Sequence, residues 1–282
     1  MNPDVSNPSA DGAWVRRFHR ADDSVRLVCL PHAGGSAAFY RPMSAALSPD
    51  VSTFAVQYPG RQDRIREPCV ESIPELADAI FDALAPLAGE SLALFGHSMG
   101  ATLAFELAVR MEKRLGRSPS ALFLSGRRAP AHFRAEADFV HTRDDAGIVA
   151  ELAALSGTAP ELLENQEILD MVLPMLRSDY RAIETHRGGV DDVVSCPVTV
   201  LTGESDDRVS VQEAAGWAAH TRGDFALETF SGGHFFLDDH RDAVAGIVRA
   251  GLKGTRSEAR PASRQGASRQ GASRQGVDAE TT

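Results

Sequence analysis

Gly96-His97-Ser98-Met99-Gly100 reads G-x-S-x-G and lies between an apolar run of strand length, Ser91–Phe95, and a helical pattern, Ala101–Leu115. A serine in this motif sits on a sharp strand-to-helix turn that pushes its Oγ out of the sheet edge. Such a turn crowds backbone against backbone, and Gly96 and Gly100 have no Cβ to obstruct it. The flanks supply the strand and the helix that the motif requires. Leu103, Leu107 and Met111 recur at spacing four, while Arg110, Glu112, Lys113 and Arg114 give a polar side. Ala101, Ala104 and Ala108 are small enough to let the helix approach a sheet, and Gly116 is placed to stop it. The helix would direct free N–H groups at an oxyanion formed nearby. The alternative is a buried serine in an ordinary strand–helix turn.

The rest of the chain alternates in the same way. Strand-like runs occur at Val25–Leu30, Thr53–Gln57, Leu92–Phe95, Ala121–Leu124, Val198–Thr202 and Phe225–Phe230. Helical patterns occur at Phe39–Leu47, Ile73–Leu87, Ala101–Leu115, Val211–Ala219 and Asp239–Leu252. Alternation of this kind predicts an α/β fold with a mostly parallel central sheet and helices on both faces. Between Ser125 and Cys196 the rhythm breaks. Helical patterns at Asp144–Leu155, Pro160–Leu173 and Met175–Thr185, the last two parted by Pro174, predict an inserted helical lid over about 130–190. Its apolar residues Leu162, Ile168, Met171, Leu173, Met175 and Leu176 either line an acyl-chain channel or pack the lid on itself; as a group, some are expected to face the substrate.

A serine hydroxyl needs a base, and nine histidines compete for the role. His234 follows the last strand candidate in Ser231-Gly232-Gly233-His234-Phe235-Phe236, a loop tight enough to return an imidazole to the turn. His97 adjoins the nucleophile but points elsewhere on a sharp turn, and His32 reads as loop-shaping. The base needs an acid to fix its tautomer. Thr202-Gly203-Glu204-Ser205-Asp206-Asp207-Arg208-Val209 follows a strand, and Asp206 fits the expected place, with Asp207 and Glu204 as rivals. The order Ser98, Asp206, His234 is that of α/β-hydrolases. Pro31-His32-Ala33-Gly34-Gly35-Ser36 follows the first strand candidate, so the Ala33 and Met99 N–H groups are the expected oxyanion hole.

Composition narrows the function further. The net charge is −10, which argues against nonspecific nucleic-acid binding. The densest apolar stretch, Leu92–Val109, contains His97, Ser98 and Glu106 and reads as strand plus helix, not a membrane span. The first dozen residues have no apolar core of the kind a signal peptide carries. Cys29, Cys69 and Cys196 are too scattered for a disulfide framework and suit a reducing cytoplasm. Residues 262–276 repeat Ala-Ser-Arg-Gln-Gly three times and cannot bury a core. The expected organisation is a flexible N-terminus over 1–14, one α/β-hydrolase domain over 15–254 and a disordered tail over 255–282.

Pro31-His32-Ala33-Gly34-Gly35-Ser36, Gln57-Tyr58-Pro59-Gly60-Arg61, Phe95-Gly96-His97-Ser98-Met99-Gly100, Phe123-Leu124-Ser125-Gly126, Leu173-Pro174-Met175-Leu176-Arg177 and Gly232-Gly233-His234-Phe235-Phe236 span the body of the chain. As a set they resemble the type II thioesterases that accompany polyketide and nonribosomal peptide synthetases. The acid loop departs mildly from that pattern at Gly203-Glu204. The resemblance implies a discrete, standalone hydrolase that clears stalled acyl groups from the phosphopantetheine arm of acyl or peptidyl carrier proteins, with no metal or redox cofactor required; a monomer is expected. Tyr58–Arg64 would either shape the arm's entrance or brace a loop. Carrier proteins are acidic, so a local basic patch is expected, with Arg127, Arg128 and Arg134 as candidates. A carboxylesterase or lipase shares all these catalytic parts. An idle hydrolase fold that only binds a ligand, and acyl transfer in place of hydrolysis, are further alternatives.

Overall fold

The computed structural model describes residues 12–258 except 20, 22–24, 88–90, 133, 135–137 and 155–164. Seven strands form one sheet: β1 (Val15–Arg17), β2 (Arg26–Leu30), β3 (Ser52–Val56), β4 (Leu92–His97), β5 (Leu122–Ser125), β6 (Val198–Gly203) and β7 (Phe225–Phe230). Their order is β1-β3-β2-β4-β5-β6-β7, parallel throughout except for β1, which runs antiparallel to β3. The six strands read from the sequence are present within two residues of their expected ends. β1 is an addition to them. It is a three-residue edge strand, Val-Arg-Arg, too short and too charged to show an alternating pattern.

The helices are α1 (Arg41–Leu47), α2 (Ile73–Leu84), α3 (Met99–Leu115), α4 (Asp145–Ala154), α5 (Gln166–Thr185), α6 (Val211–Ala215) and α7 (Arg241–Glu258). Side chains alternate across the sheet and so feed two cores. Val28, Leu30, Leu94 and Leu124 pack with α2 and α3. Leu27, Cys29, Phe95 and Phe123 pack with α1 and α7 on the other face. Both faces of the central strands are therefore covered, as a parallel sheet requires, and the free C-terminal edge is where β4 delivers Ser98.

Two expectations need correction. Pro174 does not divide two helices; α5 runs through it for 20 residues. A proline removes one helical N–H donor and crowds the preceding turn. Here the flanking Leu173, Met175 and Leu176 are buried in a common cluster with Val140 and Ile148, and that burial holds the helix together across the break. The last helix also continues to Glu258, four residues past the boundary expected at 254. Residues 255–258, Thr-Arg-Ser-Glu, carry no apolar stripe in the sequence to signal such an extension. The expected flexible stretch up to residue 11, Leu162 of the lid, and the repeats at 262–276 lie outside the described residues.

Candidate active site

Ser98 occupies the junction of β4 and α3 with φ 55° and ψ −117°, a conformation that L-residues seldom adopt. Strain of this kind costs roughly 1–3 kcal/mol and persists only where the surroundings enforce it. The surroundings here are backbone. A Cβ on Gly100 would overlap the Leu30 carbonyl oxygen of β2, and one on Gly96 would overlap the carbonyl of Gly100. The Ser98 N–H is anchored to the Ser125 carbonyl of β5 at 2.8 Å. Between Leu92 and Ala101, Ser98 is the one residue that is not buried.

Ser98 and His234 line the same cavity, of about 90 Å³, together with Ala33 and Met99. His234 Nδ1 lies 2.8 Å from Asp206 Oδ2, and the Asp206 side chain is fully buried. The other Asp206 oxygen accepts the Arg208 N–H at 2.9 Å. A carboxylate at Nδ1 fixes the tautomer that leaves Nε2 as a proton acceptor. The rivals Asp207 and Glu204 are exposed. Among the described residues the N–H groups of Ala33 and Met99 donate to no protein acceptor. Both remain available to a developing oxyanion in the cavity they line.

Two more imidazoles surround this pair. His97 donates to or accepts from Ser125 Oγ at 3.0 Å, and its ring centroid lies 5.0 Å from that of His234. His32 stands edge-on to Phe39 and Phe235 at 4.6 and 4.9 Å. Burial, reinforced by the proximity of His234 and Arg61, pushes the His32 pKa down to about 3. Burial first, then His234 and His32, carries His97 well below its ordinary value. Both rings are thus neutral packing around His234. Burial likewise raises all three thiols, Cys196 to about 12, so none is a reactive thiolate.

The cavity is more polar than the lid sequence suggested. None of Ile168, Met171, Leu173, Met175 and Leu176 lines it. Leu173, Met175 and Leu176 pack in a cluster with Val140 and Ile148, Leu176 lying also against Gly34, and Met171 points to solvent. The lid contributes Val140, Tyr180 and Ile183 instead, with Glu151 and Glu184. Glu151 is buried between Arg143 and Arg208, and Glu184 accepts the Val140 and His141 N–H groups. Arg127 and Arg128 also line the cavity, whereas Arg134 forms a two-point pair with Glu213 at the start of α6.

Beside the site lies a buried ion pair whose acidic member, Asp179, the sequence does not single out. Asp179 of α5 receives both arms of Arg61 at 2.8 Å, with side-chain exposures of 2% and 5% respectively. The one available signal is a carboxylate at spacing three and four between Leu176 and Ile183, on a helix face otherwise apolar. Among the described residues no cluster of His, Cys, Asp and Glu has metal-binding geometry, and no helix is long and apolar enough to cross a membrane.

The thioesterase domain family matches residues 25–252. The chain is 53% identical over 251 residues to a probable cadicidin biosynthesis thioesterase of Streptomyces griseus, covering 89% of this chain and 68% of that one. It is 47% identical over 247 residues to thioesterase PikA5 of Streptomyces venezuelae, covering 87% of each. Among solved structures, the type II thioesterase BorB from the borrelidin biosynthetic cluster superposes with a TM-score of 0.79 at 49% identity, over 85% of this chain and 97% of that one.

Proposed function

The chain belongs to the thioesterase family and is a thioester hydrolase, and we propose that its substrates are acyl groups carried on the phosphopantetheine arm of acyl or peptidyl carrier proteins. In this reading it is a monomeric cytoplasmic enzyme that clears stalled or aberrant acyl groups from polyketide or nonribosomal peptide assembly. The observation that carries the catalytic part is the strained Ser98 sharing one cavity with a His234 that Asp206 holds at 2.8 Å.

Ser98 Oγ attacks the thioester carbonyl while His234 Nε2 takes its proton. The Ala33 and Met99 N–H groups receive the negative charge that develops on the carbonyl oxygen. Collapse of the tetrahedral species expels the thiol, which leaves with the proton from His234, and an acyl ester remains on Ser98. Water, deprotonated by His234, attacks that ester through the same geometry and releases the acid. Asp206 keeps Nδ1 protonated and stabilises the imidazolium in both halves.

The test compares one short acyl group presented on a phosphopantetheinylated carrier, on a small thiol and as an oxygen ester, with Ser98→Ala as control. A strong preference for the carrier thioester, abolished in Ser98→Ala, is expected. Equal or better turnover of the oxygen ester would leave only a lidded serine esterase.

A further inference from the structure

We propose that Asp179 and Arg61 are positioning residues for the oxyanion hole, through which the lid helix α5 sets the Ala33 N–H; this rests on the catalytic roles assigned above to Ser98 and Ala33. Asp179 Oδ2 accepts the Gly34 N–H at 2.7 Å, the peptide directly after Ala33. The same oxygen takes Arg61 Nη1 at 2.8 Å, and Oδ1 takes Arg61 Nη2 at 2.8 Å. Arg61 Nη1 also reaches the Gly35 carbonyl at 3.0 Å. One buried fork therefore holds the loop at two successive residues. Burial opposes the charge on Arg61, but Asp179 outweighs it and keeps the guanidinium firmly protonated.

Gly34 has φ +77°, and a Cβ there would overlap Leu176 Cδ2 of α5. The lid helix thus meets this residue twice, through Leu176 on its Cα and through Asp179 on its N–H. From beneath, the loop hangs on Tyr40 Oη to the Leu30 carbonyl at 2.7 Å and Tyr58 Oη to the Pro31 carbonyl at 2.9 Å. Those bonds stop before Ala33. Beyond it the Gly35 N–H closes a turn on the His32 carbonyl at 2.9 Å and Gln57 Oε1 takes the Ala37 N–H at 3.0 Å, but the contacts from α5 and Arg61 are the ones that hold the Gly34 N–H and the Gly35 carbonyl from outside the loop, so they set which way the Ala33 N–H faces. A donor aimed at the oxyanion matters in the transition state more than in substrate binding.

The experiment uses two double variants that both lack the ion pair. Arg61→Gln/Asp179→Asn keeps an acceptor for the Gly34 N–H, and Arg61→Met/Asp179→Leu removes it. Each full-length protein is assayed on a small acyl thioester, so a failure of carrier preference leaves this comparison intact. Affinity for a trifluoromethyl ketone that forms a tetrahedral adduct on serine is measured alongside. The apolar pair should lose about 30- to 100-fold in kcat with KM within about twofold, less than the roughly 10²- to 10³-fold cost of removing one oxyanion donor outright, because the Ala33 N–H is misaimed and not lost. Its ketone affinity should fall by the same factor, while the amide pair stays within about fivefold of the parent in both. If the apolar pair fails to fold, Asp179→Ser, too short to reach Gly34, is compared with Asp179→Asn under the same criteria. Equal losses in the two members of a comparison, no loss in either, or a fall in kcat without a matching fall in ketone affinity would overturn the assignment.

Discussion

Asp206 divides its carboxylate between two partners, His234 Nδ1 at 2.8 Å and the Arg208 N–H at 2.9 Å. The second bond decides how an amide would sit there. An asparagine side chain at this position would turn its oxygen to the Arg208 N–H and its NH₂ to the imidazole, leaving His234 in the wrong tautomer. Asp206→Asn should therefore lower kcat by roughly 10³- to 10⁴-fold with little change in melting temperature. A variant within tenfold of the parent would show that another carboxylate does this work.

The two neutral imidazoles predict an acid limb in stability. Unfolding returns His32 and His97 to an ordinary pKa near 6.5, whereas in the fold His32 stays neutral down to about 3 and His97 also lies well below its ordinary value. Below pH 6.5 the unfolded chain binds protons that the native state refuses, so stability falls as pH drops and is fully present above that value. Each group contributes a slope of about 1.4 kcal/mol per pH unit once well below 6.5. Denaturant melts between pH 7 and 5 measure it, and His32→Leu should remove about half of the slope. An unchanged slope would contradict the assignment.

Gly100 tests the turn itself. Its Cβ would meet a backbone carbonyl of β2, which cannot move without shifting the central strand. Gly100→Ala should cost about 3 kcal/mol, read as a lower denaturant midpoint, and should abolish turnover in the protein that still folds. An alanine variant of parental stability and activity would mean that the strand and helix have room the structure does not show.

How much of this is legible in the sequence depends on whether the cause is local. The turn at Ser98 and the loops of Asp206 and His234 are announced by glycines and a neighbouring strand, so their place in the fold is legible in the sequence. The central strands carry unbroken apolar runs because both faces are covered. The Asp179–Arg61 pair joins positions 118 residues apart, and no periodicity or spacing links them. The lid misleads for a related reason. An amphipathic helix shows which residues are buried, not whether they are buried against substrate or against their own neighbours, and Leu173, Met175 and Leu176 are the latter.

Arg127 and Arg128 line the cavity from the loop after β5, and under the proposed function an acidic carrier would meet them. Charge reversal at either should lower kcat/KM for a carrier-bound thioester about tenfold, with the loss diminishing at high salt, and leave a small thioester within twofold. Arg134 is engaged with Glu213, which also caps α6, so Arg134→Glu should show in stability and not in carrier preference. Equal loss on both substrates would rule out carrier docking at this site.

Ile183 and Leu173 separate substrate contact from lid packing on one helix. Both are buried, but Ile183 lines the cavity and Leu173 faces Val140 and Ile148. Ile183→Ala should open space beside Ser98 and shift the ratio of kcat/KM values toward a longer acyl chain by about tenfold, the scale of one or two methylenes in an apolar pocket. Leu173→Ala should leave that ratio alone and cost about 2–4 kcal/mol from the cavity it creates in the lid. Parallel measurements of chain-length preference and denaturant midpoint on the two variants decide the matter. A selectivity change in Leu173→Ala as large as in Ile183→Ala would place the acyl chain inside the lid cluster instead of beside it.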